Sequence, residues 1–324
     1  MSEPRLRLLF CVNNGYLPQA AVALSSVLET APGARVAATV AAFQRSPSLS
    51  DEVFAPILAR YPGCTVQYCD LNHRIVAGLP ATARFPREIY TRILLGRFME
   101  AGCERVLYLD ADVLALADLR PLFQASLGGA TIGAVRDHFR LDPQAIGFSE
   151  GEPYFNSGVM LFDLRAWRER RAEARVLEIL ARQGESLPWL DQDALNIALR
   201  GEVCFLDLGW NFQPRCADVP AGFLGLSEPE YRALRAHPQL VHFTTSLKPW
   251  NAPGRIHYSD RFFAAVARAG LAQRFPRPWT RSPSALIAGA KTRLRWAFPR
   301  AFRAARSLLR PRAAALMYRS RAQT

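Results

Sequence analysis

Val106-Leu107-Tyr108-Leu109-Asp110-Ala111-Asp112 is a short apolar run that ends abruptly in two carboxylates. A run of this kind reads as a strand buried on both faces, as in a largely parallel sheet covered by helices. Two aspartates at its end must be solvated, paired or bound to a cation, because an isolated buried carboxylate is too costly. At i and i+2 of an extended chain both would leave the same face and could share one hard cation. The spacing Asp-x-Asp recurs by chance. Its position is more telling, since open α/β sheets hold ligands at the carboxyl ends of their strands.

Outward from that run, short apolar stretches alternate with helical ones, which predicts an α/β domain. Strands are expected at Leu6–Val12, Ala34–Phe43, Thr65–Leu71 and Arg105–Leu109, with helices at Gln19–Thr30, Leu49–Tyr61 and Pro86–Ala101 between them. The second half predicts a strand at Gly158–Asp163, a charged helix over Arg165–Arg182 and a helix over Pro188–Arg200. Strands at Val203–Leu208 and Gln239–Phe243 are expected to complete the sheet. Composition shifts after Pro276 and Pro278, so the chain divides into a body, 1–275, and a tail, 276–324.

The net charge of +13 belongs to that tail. Residues 1–260 carry 26 Lys+Arg against all 28 Asp+Glu, whereas 261–324 carry the other 15 basic residues and no acid. A near-neutral body argues against nucleic acid as a partner. Between Pro299 and Pro311, Phe298, Ala301, Phe302, Ala305, Leu308 and Leu309 fall on one side of a helical wheel, opposite Arg300, Arg303, Arg306 and Arg310. This predicts a basic amphipathic helix lying on an anionic membrane surface. No uncharged stretch is continuous enough to span a bilayer, and the apolar core Leu8–Val12 is too short for a signal peptide. The six cysteines show no metal-type spacing and read as small buried residues in a reducing compartment.

A second cluster, His242 through Lys248-Pro249-Trp250, also ends an apolar run, and Lys248 is one of only two lysines among 41 Lys+Arg. In a chain that otherwise uses arginine, a lysine suits a site needing a compact point charge. With His242 it fits an imidazole metal ligand beside a phosphate-binding ammonium.

Four stretches in order, Tyr108–Leu114, Tyr154-Phe155-Asn156-Ser157-Gly158-Val159-Met160-Leu161, Leu190-Asp191-Gln192-Asp193-Ala194-Leu195-Asn196 and His242–Trp250, resemble glycosyltransferase family 8, in its lipopolysaccharide galactosyltransferase and glucosyltransferase branch. The resemblance covers roughly residues 6–260 and extends to the basic tail. It implies a GT-A fold, with a Rossmann-like, mixed but mostly parallel sheet and helices on both faces. It further implies a UDP-sugar donor, a saccharide or glycolipid acceptor, Mn²⁺ with Mg²⁺ as second choice, and retention of anomeric configuration. An enzyme of this kind is expected in the cytoplasm, against the inner face of the membrane.

By the resemblance, Asp110, Asp112 and His242 are the metal ligands. Asn13, Asn14 and Tyr16 hold uracil and ribose, the two asparagines standing where the family often has an acidic residue. Arg92, Ala111 and Asp137 complete the donor site, Lys248 assists the leaving phosphate, and Asn156, Asp191 and Gln192 surround the anomeric carbon. A glutamine is a poor nucleophile, which favours front-face attack over a covalent intermediate. Gly147-Phe148-Ser149-Glu150-Gly151 matches the hydrolase elbow, but the residues around it do not read as strand-turn-helix. The rival reading is a non-catalytic protein that binds nucleotide-sugar or nucleic acid.

Overall fold

The computed structural model describes residues 5–81, 87–100, 102–140, 142–252 and 254–277. Leu6–Val12 forms β1, and its side chains divide between two cores: Leu6, Leu8, Phe10 and Val12 face one, Leu9 the other. That division is why the run from Leu8 to Val12 is apolar instead of alternating, with Arg7 at the strand's start reaching out to Glu100. From β1 the chain runs outward through α1 (Leu17–Thr30), β2 (Val36–Phe43), α2 (Pro47–Arg60) and β3 (Cys64–Leu71), with all three strands parallel. It then doubles back, and β4 (Arg105–Leu109) pairs in parallel with the opposite edge of β1.

The reversal is a topological switch point. Loops leaving β1 and β4 diverge there and open a crevice at the carboxyl end of the sheet. Beyond β4 come β5 (Val113–Ala115), α3 (Arg120–Gln124), β6 (Ile132–Arg136) and β7 (Phe155–Asp163). α4 (Leu164–Glu169), α5 (Ala172–Gln183), α6 (Leu190–Ala198) and β8 (Val203–Leu206) follow. The seven-stranded sheet has the order β3-β2-β1-β4-β7-β6-β8, and only β7 opposes the common direction. The remaining α-helices and strand are α7 (Glu228–Ala236), β9 (Leu240–His242) and α8 (Ser259–Arg268), with short 3₁₀ segments between elements. Helices α1, α2 and α8 pack on one face, and α4, α5 and α6 contribute to the core on the other.

Four expectations from the sequence change. Residues Arg87–Arg97 form a 3₁₀ helix, not an α-helix. Tyr90 through Leu95 are buried consecutively, and the β-branched and aromatic residues among them lose rotamer freedom in an α-helix. The charged helix is broken at Arg171, φ 50°, where the run from Arg168 to Arg171 offers no apolar residue to continue the stripe. The strand around His242 leaves the main sheet and pairs antiparallel with β5 in a two-stranded sheet of its own. Asp110-Ala111-Asp112 lies in the turn between β4 and β5 and is not extended. Cys64, Cys103 and Cys216 are buried, Cys11, Cys69 and Cys204 are half-buried, and all six are free thiols. The Pro299–Pro311 helix lies outside the described residues.

Asp193, fully buried at the start of α6, ties this region together. Its carboxylate accepts from Tyr154 Oη at 2.6 Å, from Trp189 N at 2.8 Å and from Arg140 Nε at 3.2 Å, and the Arg140 side chain is itself only 6% exposed. Removing one partner of a buried pair strands the other charge. Asp193→Ala is therefore expected to lower the unfolding free energy by about 3–5 kcal/mol, read from denaturant midpoints. A loss below 1 kcal/mol would show that the pair is solvated in solution.

Candidate functional site

The crevice at the switch point opens into a cavity of about 1570 Å³. Asn13, Tyr16, Arg92, Asp110, Ala111, Asp112, Asp137, Asn156, Asp191, Gln192 and His242 line it. Eleven of the thirteen residues singled out from the sequence thus converge on one space. Asn14 and Lys248 are not among the lining residues. The Asn14 side chain is engaged with backbone instead, donating to Gln44 O at 2.9 Å and accepting from Ser46 N at 2.7 Å. It fixes the β1 loop against the end of β2. Lys248 is buried, and its Nζ donates to Asp112 Oδ2 and to Phe243 O.

At the ends of β4 and β9, Asp110, Asp112 and His242 each offer a donor atom, all within 4.8 Å of one another. Antiparallel pairing of Val113 with His242 makes this possible, because it sets the imidazole beside the Asp-Ala-Asp turn. Asp112 Oδ1 is buried and makes no hydrogen bond, with His242 Nε2 facing it at 3.1 Å. An orphaned carboxylate oxygen, a second carboxylate and an imidazole nitrogen form a mixed donor set that fits a divalent cation. Burial opposes ionisation of Asp110 and Asp112. Nearby cations win, with Arg92 chiefly lowering Asp110 and Lys248 chiefly lowering Asp112, and His242 adding to both. Burial likewise disfavours a charged imidazole, but the two carboxylates push His242 up to about 8, so proton and metal compete for Nε2.

His242 has its other ring nitrogen 2.8 Å from Asn211 Oδ1. That contact starts a chain in which every donor points the same way. Asn211 Nδ2 donates to Asn156 Oδ1 at 2.9 Å, Asn156 Nδ2 to Gln192 Oε1 at 3.2 Å, and Gln192 Nε2 to Asp137 Oδ2 at 3.4 Å. A carboxylate at the far end can only accept, so the polarity of the chain is fixed. When the imidazole is neutral, its proton is therefore held on Nδ1 and Nε2 is left free for a metal. Asn211 was missed in the sequence, where it is one asparagine in an aromatic loop. Gln192 Oε1 also accepts from Ser157 N at 3.0 Å and Ser157 Oγ at 3.3 Å.

Arg92 sits between the two ends of the site. Its Nη1 is 3.2 Å from Asp110 Oδ1 and donates to Ser157 O at 2.9 Å, its Nε is 3.3 Å from Asp191 Oδ2, and its guanidinium lies 4.7 Å from the centroid of the Tyr108 ring. Gly147-Phe148-Ser149-Glu150-Gly151 lies in a loop ahead of β7, with Ser149 N donating to Glu152, and is no strand-to-helix elbow.

Residues 7–254 match the profile of glycosyl transferase family 8. The chain belongs to that family. General stress protein A of Bacillus subtilis is 27% identical over 210 residues, 62% of this chain and 72% of the relative. The lipopolysaccharide 1,2-glucosyltransferase of Escherichia coli K12 is 30% identical over 178 residues, 53% of this chain, and the match spans only 52% of that relative's length. The crystal structure of the galactosyltransferase LgtC with donor and acceptor sugar analogues superposes with a TM-score of 0.69 at 27% identity, covering 81% of this chain and 96% of that one. The fold of this glycosyltransferase is GT-A, as the mixed sheet and the crevice at its switch point require. Among the described residues, no helix is long and apolar enough to cross a membrane.

Gly158, inside β7, makes room for the cluster. A Cβ there would collide with the His242 imidazole and come within 2.6 Å of Asp110 Oδ2. Glycine in a strand interior often marks such a close approach. Gly158→Ala is expected to fold but to weaken Mn²⁺ binding at least about tenfold by titration calorimetry, as disturbed ligand orientation does. Unchanged affinity would mean that His242 and Asp110 do not hold the ion together.

Asp191 is pushed up from 3.8 to about 6, mainly by burial, with Asp110 adding to the rise and Arg92 pulling against it. A carboxyl whose native pKa exceeds its unfolded value costs stability as pH climbs through that window, and the full cost persists above pH 6. Ligand-free Asp191→Asn should accordingly gain melting temperature relative to the wild type as pH rises from 4 to 8. A relative loss over that range would refute the raised pKa.

Proposed function

We propose that this glycosyltransferase moves a hexose, galactose or glucose, from a UDP-sugar to a saccharide acceptor with retention of configuration. The acceptor fits lipopolysaccharide or another cell-surface glycan, as the relatives' names suggest. On this reading the chain works at the cytoplasmic face of the membrane, with the basic tail as its contact. The observation that carries the proposal is the joining of an Asp110–Asp112–His242 cluster to a polar cluster of Asn156, Gln192 and Asp137 through continuous hydrogen bonds, with Asp191 tied to Asp110 through Arg92.

A divalent cation held by Asp110, Asp112 and His242, preferably Mn²⁺ given the imidazole, would neutralise charge on the departing diphosphate. Tyr16 and Asn13, at the end of β1, face the same cavity and suit the nucleoside. Arg92 orients Asp110 on one side and Asp191 on the other. Lys248 acts through Asp112, holding its carboxylate ionised and aimed at the cluster. Asp137 and Asn156 are placed to bind sugar hydroxyls.

Three donors already occupy Gln192 Oε1, so its oxygen cannot attack the anomeric carbon without losing Asn156 Nδ2, Ser157 N and Ser157 Oγ. This supports front-face attack, in which the acceptor hydroxyl enters on the side the phosphate leaves and a phosphate oxygen takes its proton. Gln192, Asp191 and Asn156 then position the reacting carbon.

A donor screen tests the reading. UDP release from UDP-galactose or UDP-glucose should require added Mn²⁺, cease in excess chelator, and fall at least about a hundredfold in Asp112→Ala without loss of fold. Full turnover in chelator would remove the metal assignment, and faster release from GDP-sugars would remove the base assignment.

A further inference from the structure

Beyond the reaction centre, the cavity continues to an aromatic surface that the transfer chemistry leaves unused. β6 ends at Arg136, and the next residue, Asp137, already touches Gln192 and Asn156. His138 and Phe139 follow. Phe139 lines the cavity, and its ring centroid lies 5.6 Å from that of Phe223 with the planes tilted by 42°. His138 lies 6.5 Å from Phe223 on another side and hydrogen-bonds its backbone. The Arg215 guanidinium sits 4.0 Å from the centroid of the Phe139 ring.

Phe223 is 49% exposed, the most exposed large apolar side chain among the described residues. The exposure is built in. Phe223 belongs to a 3₁₀ turn, Ala221–Leu224, in which Ala221 and Leu224 are buried in a small core with Phe212, Cys216 and Tyr231. Gly225, φ 72°, closes the turn, so burying its two flanking anchors holds the ring outward. Phe223 does not itself line the cavity, but it packs on Phe139, which does, so a ligand that extends past Phe139 meets the exposed face of the Phe223 ring.

Strand order says which ligand. From the nucleoside end at β1, the sheet passes through β4 with the metal cluster and β7 with Asn156 to β6 with Asp137. At about 4.8 Å per strand the β6 end lies roughly 14 Å from β1, past the point where the donor's anomeric carbon must sit. Nor does a donor alone need a cavity of about 1570 Å³. The C–H faces of a pyranose are apolar and carry partial positive charge, which complements the negative face of an aromatic ring.

We propose that Phe223, positioned by His138 and Phe139, is an outer acceptor subsite that stacks a sugar ring beyond the one receiving the hexose, so that the enzyme selects acceptors of at least two sugar units. This rests on the hexosyltransferase reading above.

The test uses the full chain, Mn²⁺ and the UDP-hexose that gives UDP release, with a panel of β-linked mono-, di- and trisaccharide glycosides as acceptors. Wild type should favour an acceptor of two or more units over the matching monosaccharide. Phe223→Ala and Phe223→Leu should each raise the longer acceptor's KM roughly five- to tenfold, the size of one lost ring-face contact. kcat, the donor KM and acceptor-independent UDP release should stay unchanged, and Phe223→Trp should restore the preference. Because leucine keeps apolar bulk without a ring, recovery by Trp but not Leu separates stacking from simple packing. No length preference in the wild type, or a preference surviving in Phe223→Ala, overturns the subsite. A lower melting temperature in Phe223→Ala with unchanged acceptor selectivity also overturns it, and shows that the ring only packs against His138 and Phe139. Absence of UDP release from any UDP-hexose in the wild type instead falls on the hexosyltransferase reading itself.

Discussion

Asp110 and Asp112 place two negative charges at the buried end of a central strand, and much of the surrounding architecture answers to that. Charges of like sign this close are tolerated only with cations in contact. Arg92 comes from the 3₁₀ segment on one side of the sheet, Lys248 from the loop after β9, and His242 from β9 itself. No two of these share an element with the aspartates. The cluster therefore cannot assemble until the sheet, the 3₁₀ segment and the small β5–β9 sheet are all in place, which ties the site to the folded state as a whole. Arg92 and Lys248 leave Asp112 Oδ1 without a hydrogen bond, and it faces His242 Nε2 at 3.1 Å.

The amide chain from His242 to Asp137 solves a different problem. Asparagine and glutamine side chains can each be turned either way, and an imidazole can carry its proton on either nitrogen. Anchoring one end on an acceptor-only carboxylate removes those choices one after another, back to the ring. One consequence is that groups suited to the sugar and groups suited to the metal share orientation through Asn156 and Asn211, though they lie on separate elements. Loss of one amide would therefore disturb both ends.

Much of this was legible in the chain because burial on both faces leaves an unmistakable run of apolar residues, as at Leu8–Val12 and Val106–Leu109. Ionisable residues placed directly after such runs stand out for the same reason, which is why Asp110, Asp112 and His242 could be picked. The pairing of β5 with β9 could not be read, since three-residue strands carry no periodicity. The 3₁₀ form of Arg87–Arg97 was hidden because its residue types suit either helix, and only burial on every side decides between them. Asn211 left no signal at all, its importance lying in direction of hydrogen bonding, a property of three-dimensional placement. Gly158 left a faint one, as a glycine inside an otherwise apolar strand.

The sheet also sets the order of events along the crevice. Parallel strands bring their carboxyl ends to one edge, so residues from chain positions as distant as 13, 110, 156 and 137 become neighbours in the sequence of β1, β4, β7 and β6. β7 runs against the others and contributes through its amino-terminal end, with Phe155, Asn156 and Ser157 at that edge. An antiparallel strand at this place has a specific effect. Its first residues are free to carry polar side chains into the crevice while the rest of the strand, Val159 to Phe162, stays fully buried between its neighbours. A parallel strand here would arrive from the opposite end of the sheet, and the Asn156-Ser157-Gly158 stretch would have to follow the buried run instead of leading it. The reversal thus lets one strand give Gln192 and Arg92 their hydrogen-bonding partners and give His242 its clearance, three contacts within three consecutive residues.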